Sequence, residues 1–137
     1  MIDRLIERNR DALILIARIL MAALFVISGF GKLTGFAGTV QYMQHVQAPL
    51  PEVAAGVAVV MEFFVGLALL AGFRVRLLAL ALLVFVAGTS LIGHPFWTMD
   101  GADRALNQVQ FLKNLAIMGG LLLLSITGPG RYSVAKS

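Results

Sequence analysis

Glu62 stands near the middle of an otherwise uncharged apolar run, Val53 to Phe73. About 20 apolar residues in a helix cross the ~30 Å hydrocarbon core of a bilayer. A carboxylate carried to that depth costs roughly 2.5–3.5 kcal/mol on insertion scales, so it turns toward a partner or a water-filled cavity. The cations to set against it are Arg18, inside the run Ala12–Gly31, and Lys113, at the head of the last apolar stretch, with Lys32 adding to the positive charge. At ~1.5 Å of rise per helical residue, Glu62 lies near the midplane, Lys113 about 6–8 Å below the boundary on its side, and Arg18 about 9 Å from the opposite boundary. Side chains lean toward the N-terminus of their own helix, which tips Glu62 toward Lys113 and Arg18 away from it. An arginine still spans the remaining gap, so the pairing stays open between Lys113 and Arg18. One carboxylate among these cations leaves positive charge in excess, which suits an anion, a quinone carbonyl or ordered water. The plainer alternative is an internal ion pair that only fixes helix register.

Other polar groups gather around this pair. Asn107, Gln110 and Asn114 recur at i, i+3 and i+7 with Lys113 adjacent, and such a stripe must face protein or water rather than lipid. Asp11, Arg18, Phe25 and Lys32 recur every seven residues and share one stripe of the first helix. His94, in His94-Pro95-Phe96-Trp97, either roofs the polar cluster and exchanges protons there or belongs to an interfacial turn anchored by aromatic rings. The candidate ligand-binding set is therefore Glu62, Lys113, Asn114, His94, Lys32, Arg18 and Gln110. Lys113, Asn114 and His94 would donate to ligand oxygens, with Glu62 holding Lys113 in place. No catalytic residue can be singled out. The chain has no cysteine, which removes thiol redox chemistry, cysteine-ligated iron–sulfur clusters and covalent c-type haem. His45 and His94 have no spacing that requires a metal, and none is expected.

These side chains must be positioned by membrane helices. The chain is 59% hydrophobic and 13% charged, with a mean hydropathy of +0.89, whereas soluble domains carry ~25% charged residues. Four apolar stretches predict helices over 12–31, 53–73, 77–93 and 109–127, an all-α integral membrane four-helix bundle forming a single domain over 1–137. The last extends back to Val109 because Leu115–Thr127 alone is too short to span. Gly72 is placed to cap the second helix, Gly128-Pro129-Gly130 to stop the fourth, and the segment Lys32–Pro51 has room for a short interfacial helix. Small residues form packing faces on two helices: Ala55, Ala58, Val59, Glu62 and Gly66 on the second, and Ala116, Gly119 and Gly120 on the fourth. Basic residues cluster at one end. Arg4, Arg8, Arg10, Arg74, Arg76, Arg131 and Lys136 face Lys32 and Arg104 at the other, with Lys113 just inside its helix. That bias predicts both termini in the cytoplasm. The net charge of +4 is distributed around helix ends without the basic, aromatic-interleaved surface of a nucleic-acid reader, so no nucleic-acid partner is expected.

In order along the chain, Arg18, Ser28–Phe36 (SGFGKLTGF), Glu62 and Gly66 within MEFFVGLALLAG, His94–Trp97 (HPFW), Gln110–Leu124 (QFLKNLAIMGGLLLL) and Gly128–Ser133 (GPGRYS) make the chain resemble the DoxX family of small four-helix bacterial membrane proteins. Family members often continue GPG with a serine and an aspartate; Tyr132-Ser133-Val134 has no acidic residue. The family takes its name from a subunit associated with quinone-linked sulfur oxidation, and other members are linked to oxidative-stress complexes. The resemblance thus implies a multi-pass protein of the bacterial inner membrane and a component associated with an oxidoreductase partner subunit, assisting catalysis rather than performing it alone. On this reading it binds a quinone or another small anionic or lipophilic molecule in an outward-facing polar pocket. One alternative is a small-solute or proton-coupled transporter; without inverted repeats, four helices would then need to form a homo-oligomer. Another is an assembly scaffold.

Overall fold

The computed structural model describes residues 1–135; Lys136, counted above among the basic residues, lies outside the described residues. The order is α1 (Ile2–Arg8), α2 (Arg10–Thr34), α3 (Phe36–His45), α4 (Pro51–Val59), a π-helical turn (Val60–Phe64), α5 (Val65–Ala71), α6 (Val75–Gly93), a 3₁₀ turn (Phe96–Thr98) and α7 (Gly101–Thr127). Helix α4, the π turn and α5 form one continuous rod. With α2, α6 and α7 it makes four helices long and apolar enough to cross a membrane. The all-α membrane four-helix bundle is what the chain forms.

The ends depart from the apolar runs for a physical reason. Hydropathy marks the lipid-facing stretch, whereas backbone hydrogen bonding continues into the polar flanks. Helix α2 therefore runs from Arg10 to Thr34 rather than 12–31, and α7 begins at Gly101 rather than at 109. The second rod starts at Pro51, where the missing N–H of proline costs nothing in the first turn. It stops at Ala71, not 73. There Gly72 turns left-handed (φ 86°), its N–H reaches Leu69 O at 3.1 Å and the Phe73 N–H reaches Ala68 O at 2.9 Å. This paired closure is the Schellman cap.

Ile27, Leu20, Val84 and Leu123 are 65–73% exposed. In water such a girdle would drive association; in a bilayer, acyl chains cover it. The interior is small. Leu69, Val75, Ala79, Leu82 and Leu121 are fully buried at the centre, and a second cluster of Met43, Ala48, Ala55 and Ala58 lies where α3 packs on α4.

Glycines set the depth at which the helices meet. A Cβ on Gly29 would sit 2.8 Å from Glu62 C and from Phe63 Cα, and one on Gly66 3.1 Å from Phe25 Cβ. Gly29 of α2 is thus level with the π turn, and Gly66 with Phe25 and Val26. Gly72 lies against the Arg18 guanidinium. Helix α2 consequently ends partway along α4, and α3 fills the step above it. On the other side, His94 meets Asn107, Ser90 meets Asn114 and Arg76 meets Ser125. The first two turns of α7 therefore project beyond the end of α6.

Candidate functional site

Glu62 lies in the π turn, where one extra residue per turn loosens the backbone ladder, a distortion found frequently at functional sites. Its ion partner is Lys32. The ammonium lies 2.8 Å from Glu62 Oε2 and donates to Ser28 Oγ at 2.7 Å, while the Ser28 hydroxyl donates to Glu62 Oε1 at 3.3 Å. The approach to Oε2 has ion-pair distance without hydrogen-bond alignment, so that buried oxygen keeps accepting capacity. Ser28 and Lys32 are one turn apart on α2, both on the side turned to the second rod. Lys32 keeps 29% of its side-chain surface open and Glu62 14%, so the pair is half-buried, with Lys32 and Ser28 on the wall of a groove and Glu62 behind them.

The groove has a volume of about 430 Å³ and runs along the α2–α3 corner past Ser28, Gly31, Lys32, Gly35, Gly38, Thr39 and Tyr42. At Gly31 and Gly38 an added Cβ would meet nothing within 4 Å, so the missing side chains leave a bare backbone floor. The buried Thr39 hydroxyl donates to Lys32 O and Gly35 O at 3.3 and 3.2 Å, locking the α2–α3 corner. Tyr42 closes the far side by donating to Gly93 O at 3.3 Å. Burial raises the Tyr42 phenol above its ordinary pKa, so it stays a neutral donor.

This geometry corrects the expected pairing. Lys113 is exposed on α7, with no ion pair or hydrogen bond among the described residues, about one turn below the end of α6. Its long stem there lets the ammonium reach the headgroup level. Arg18 is not the partner either. It is 1% exposed, and its guanidinium donates to Pro129 O (2.6 Å), Leu70 O (3.0 Å) and Tyr132 O (2.8 Å), clasping the Gly128–Ser133 segment against the end of α5. The remaining candidates form a separate set between α6 and α7. His94 Nδ1 lies 2.8 Å from Asn107 Oδ1, the Asn114 amide donates to Ser90 Oγ at 2.9 Å, and Gln110 is half-buried on the same helix. No hydrogen bond or ion pair joins that set to Glu62 among the described residues.

Sequence reasoning missed Ser28, Thr39 and Tyr42. The signal for Ser28 was its i, i+4 spacing to Lys32 on the heptad stripe that also buries Arg18 and Phe25. Thr39 and Tyr42 gave none, because their place depends on α3 folding back.

The model of the DoxX family matches residues 13–95, more than half of the chain and every residue of the Ser28–Lys32–Glu62 arrangement. The chain belongs to the DoxX family. It is 46% identical over 127 residues to the inner membrane protein YphA of Escherichia coli K12, covering 93% of this chain and 91% of that protein. It is 44% identical over 133 residues to the inner membrane protein YqjF of the same organism, covering 95% of each. No solved structure matches the chain. For this DoxX protein the chemistry available at the groove is a lysine donor held by a serine and a carboxylate, a neutral phenol opposite, and a flat glycine floor.

Proposed function

We propose that this DoxX protein is an inner-membrane subunit that binds a small lipophilic molecule bearing oxygen acceptors, of the quinone class, in the α2–α3 groove, next to an oxidoreductase partner. The observation that carries the reading is the Lys32–Ser28–Glu62 arrangement opening onto a glycine floor. An ammonium has three N–H donors; one goes to Ser28 and one faces Glu62, leaving one for a ligand carbonyl. A planar ring fits over Gly31 and Gly38, where side chains would otherwise stand. A quinone, when bound, supplies reversible two-electron chemistry; the chain's own residues supply binding and proton handling. Lys32 holds the acceptor oxygen, and Glu62 sets the position of Lys32 and takes a proton on its free lone pair. Of the candidate set, this reading keeps Lys32 and Glu62 and adds Ser28 and Tyr42; Lys113, Asn114, His94, Gln110 and Arg18 stand away from the groove. The inner-membrane names of the two bacterial relatives and the four spanning helices support the location.

The test is quinone extraction and mass spectrometry on protein purified in mild detergent, with binding of added short-chain ubiquinone and menaquinone analogues. The expected result is co-purifying quinone that falls at least tenfold in Lys32→Met and persists in Lys113→Met. Absence of recovered quinone together with no binding of either analogue would overturn the reading.

A further inference from the structure

At the opposite end of the bundle a second groove of about 430 Å³ runs between α2 and α7. Its walls are apolar: Leu13, Ile14 and Ala17 on one side, Leu123 and Leu124 on the other, and Met21 over Gly120 at the foot. From Arg10 to Met21 it covers roughly 16 Å along α2 at 1.5 Å per residue, about half of a ~30 Å hydrocarbon core. It therefore extends from the interface to the bilayer midplane, the reach of a single acyl chain in one leaflet. Gly120 makes the foot possible, since a Cβ there would press on the Met21 methyl at 2.5 Å.

The mouth is polar and carries both signs. Glu7, at the end of α1, and Arg10, at the start of α2, line it. Both are exposed, and neither has an ion partner within 4 Å among the described residues. Beside them, Ile2, Leu5 and Ile6 of α1 are 68, 60 and 49% exposed. These apolar residues at i, i+3 and i+4 suit a helix lying flat at headgroup depth. We infer that this groove is a binding site for a zwitterionic aminophospholipid of the ethanolamine class: an acyl chain fills the apolar trough, the phosphate pairs with Arg10 and the primary ammonium pairs with Glu7. An anionic glycerol headgroup would meet Arg10 but be repelled by Glu7. A choline headgroup would bring the positive charge without N–H donors, and carboxylates are recognised best by charge-assisted hydrogen bonds.

The full-length protein, delipidated in detergent, is offered phosphatidylethanolamine, phosphatidylglycerol and phosphatidylcholine of identical acyl chains, and retained lipid is counted by native mass spectrometry. Phosphatidylethanolamine should be retained at least fivefold over the other two. Glu7→Gln should abolish its advantage over phosphatidylglycerol, Arg10→Gln should reduce retention of both phosphatidylethanolamine and phosphatidylglycerol, and Ala17→Phe, which fills the trough, should reduce all three. The Glu7 and Arg10 changes are at exposed positions and leave the bundle intact, so the outcome does not depend on the folding of the groove-filling variant. Equal retention of the three lipids, insensitivity to both rim substitutions, or a lipid-free dimer formed across α2 and α7 would overturn the assignment.

Discussion

Lys32 carries an ordinary ammonium, and its neighbours make it distinctive. Ser28 fixes it from one turn below, Glu62 offsets its charge, and the groove leaves part of it open. Removing Lys32 strands a carboxylate at mid-span, and breaking a buried pair by deleting one partner costs roughly 3–5 kcal/mol. This pair borders an open groove, so the low end of that range is expected. Lys32→Met should therefore lower thermal stability in detergent clearly, Lys32→Met with Glu62→Gln should recover much of the loss, and Lys113→Met should stay within ~0.5 kcal/mol of wild type. The same cycle run with Lys113 or Arg18 should show no rescue. Strict additivity of the Lys32 and Glu62 effects would mean that the two do not interact. Glu62 was legible as the key position because a lone charge in an apolar run is visible without any structure. Its partner was not. Depth arithmetic placed every helix between the same two boundaries and weighed only Lys113 and Arg18 as partners; Lys32, one residue past the apolar run, entered only in the count of surplus positive charge.

Between α2 and the second rod, glycines decide the geometry that the arithmetic lacked. The Gly29 backbone packs directly on the π turn, so Lys32, one turn further along α2, leans back to the level of Glu62. Two substitutions separate packing from open floor. Gly29→Ala drives a Cβ into the Glu62–Phe63 backbone; overpacking of this kind costs ~1–3 kcal/mol, more than the helix-propensity gain of ~1 kcal/mol from replacing glycine by alanine. At Gly31 nothing lies within 4 Å of the new Cβ, so only the propensity gain remains. Gly29→Ala is expected to lower the melting temperature and Gly31→Ala to leave it unchanged or raise it, while weakening quinone binding by narrowing the floor. Equal stability of the two variants would show that Gly29 is not a contact point. The four spans, the Gly72 cap and the small faces through Ala55, Ala58 and Gly66 were readable from periodicity and residue size. The π turn and the fold-back of α3 were not, since both arise from how separate helices meet and leave no local pattern. On α7, Gly120 packs against Met21 whereas Gly119 meets nothing within 4 Å, so the predicted small face is half a contact.

Across the whole molecule, charge is distributed unevenly between the two ends. Arg4, Arg8, Arg10, Arg74, Arg76 and Arg131 stand at the end that holds α1 and the Gly128–Ser133 segment, level with the Arg18 clasp and the Gly72 turn, while Lys32, Lys113 and Arg104 stand toward the other. Four spans place both termini on one side whatever the sidedness, so a single measurement orients the entire bundle. Lys and Arg in short flanks stay cytoplasmic, and the anionic cytoplasmic leaflet adds attraction of ~1 kcal/mol for each basic residue near its surface. The expected arrangement therefore has the termini and the Glu7–Arg10 groove mouth in the cytoplasm, and the Lys32–Glu62 groove in the opposite leaflet, toward the same end of the bundle as the Phe96–Trp97–Phe111 cluster, whose ring centroids lie 5.3–5.8 Å apart. That arrangement matters for function, because a ligand at Lys32 would then exchange with the outer half of the membrane. Fusing green fluorescent protein or alkaline phosphatase to the C-terminus decides it. Fluorescence without phosphatase activity is expected, and phosphatase activity without fluorescence would invert the bundle and move the Lys32 groove to the cytoplasmic leaflet.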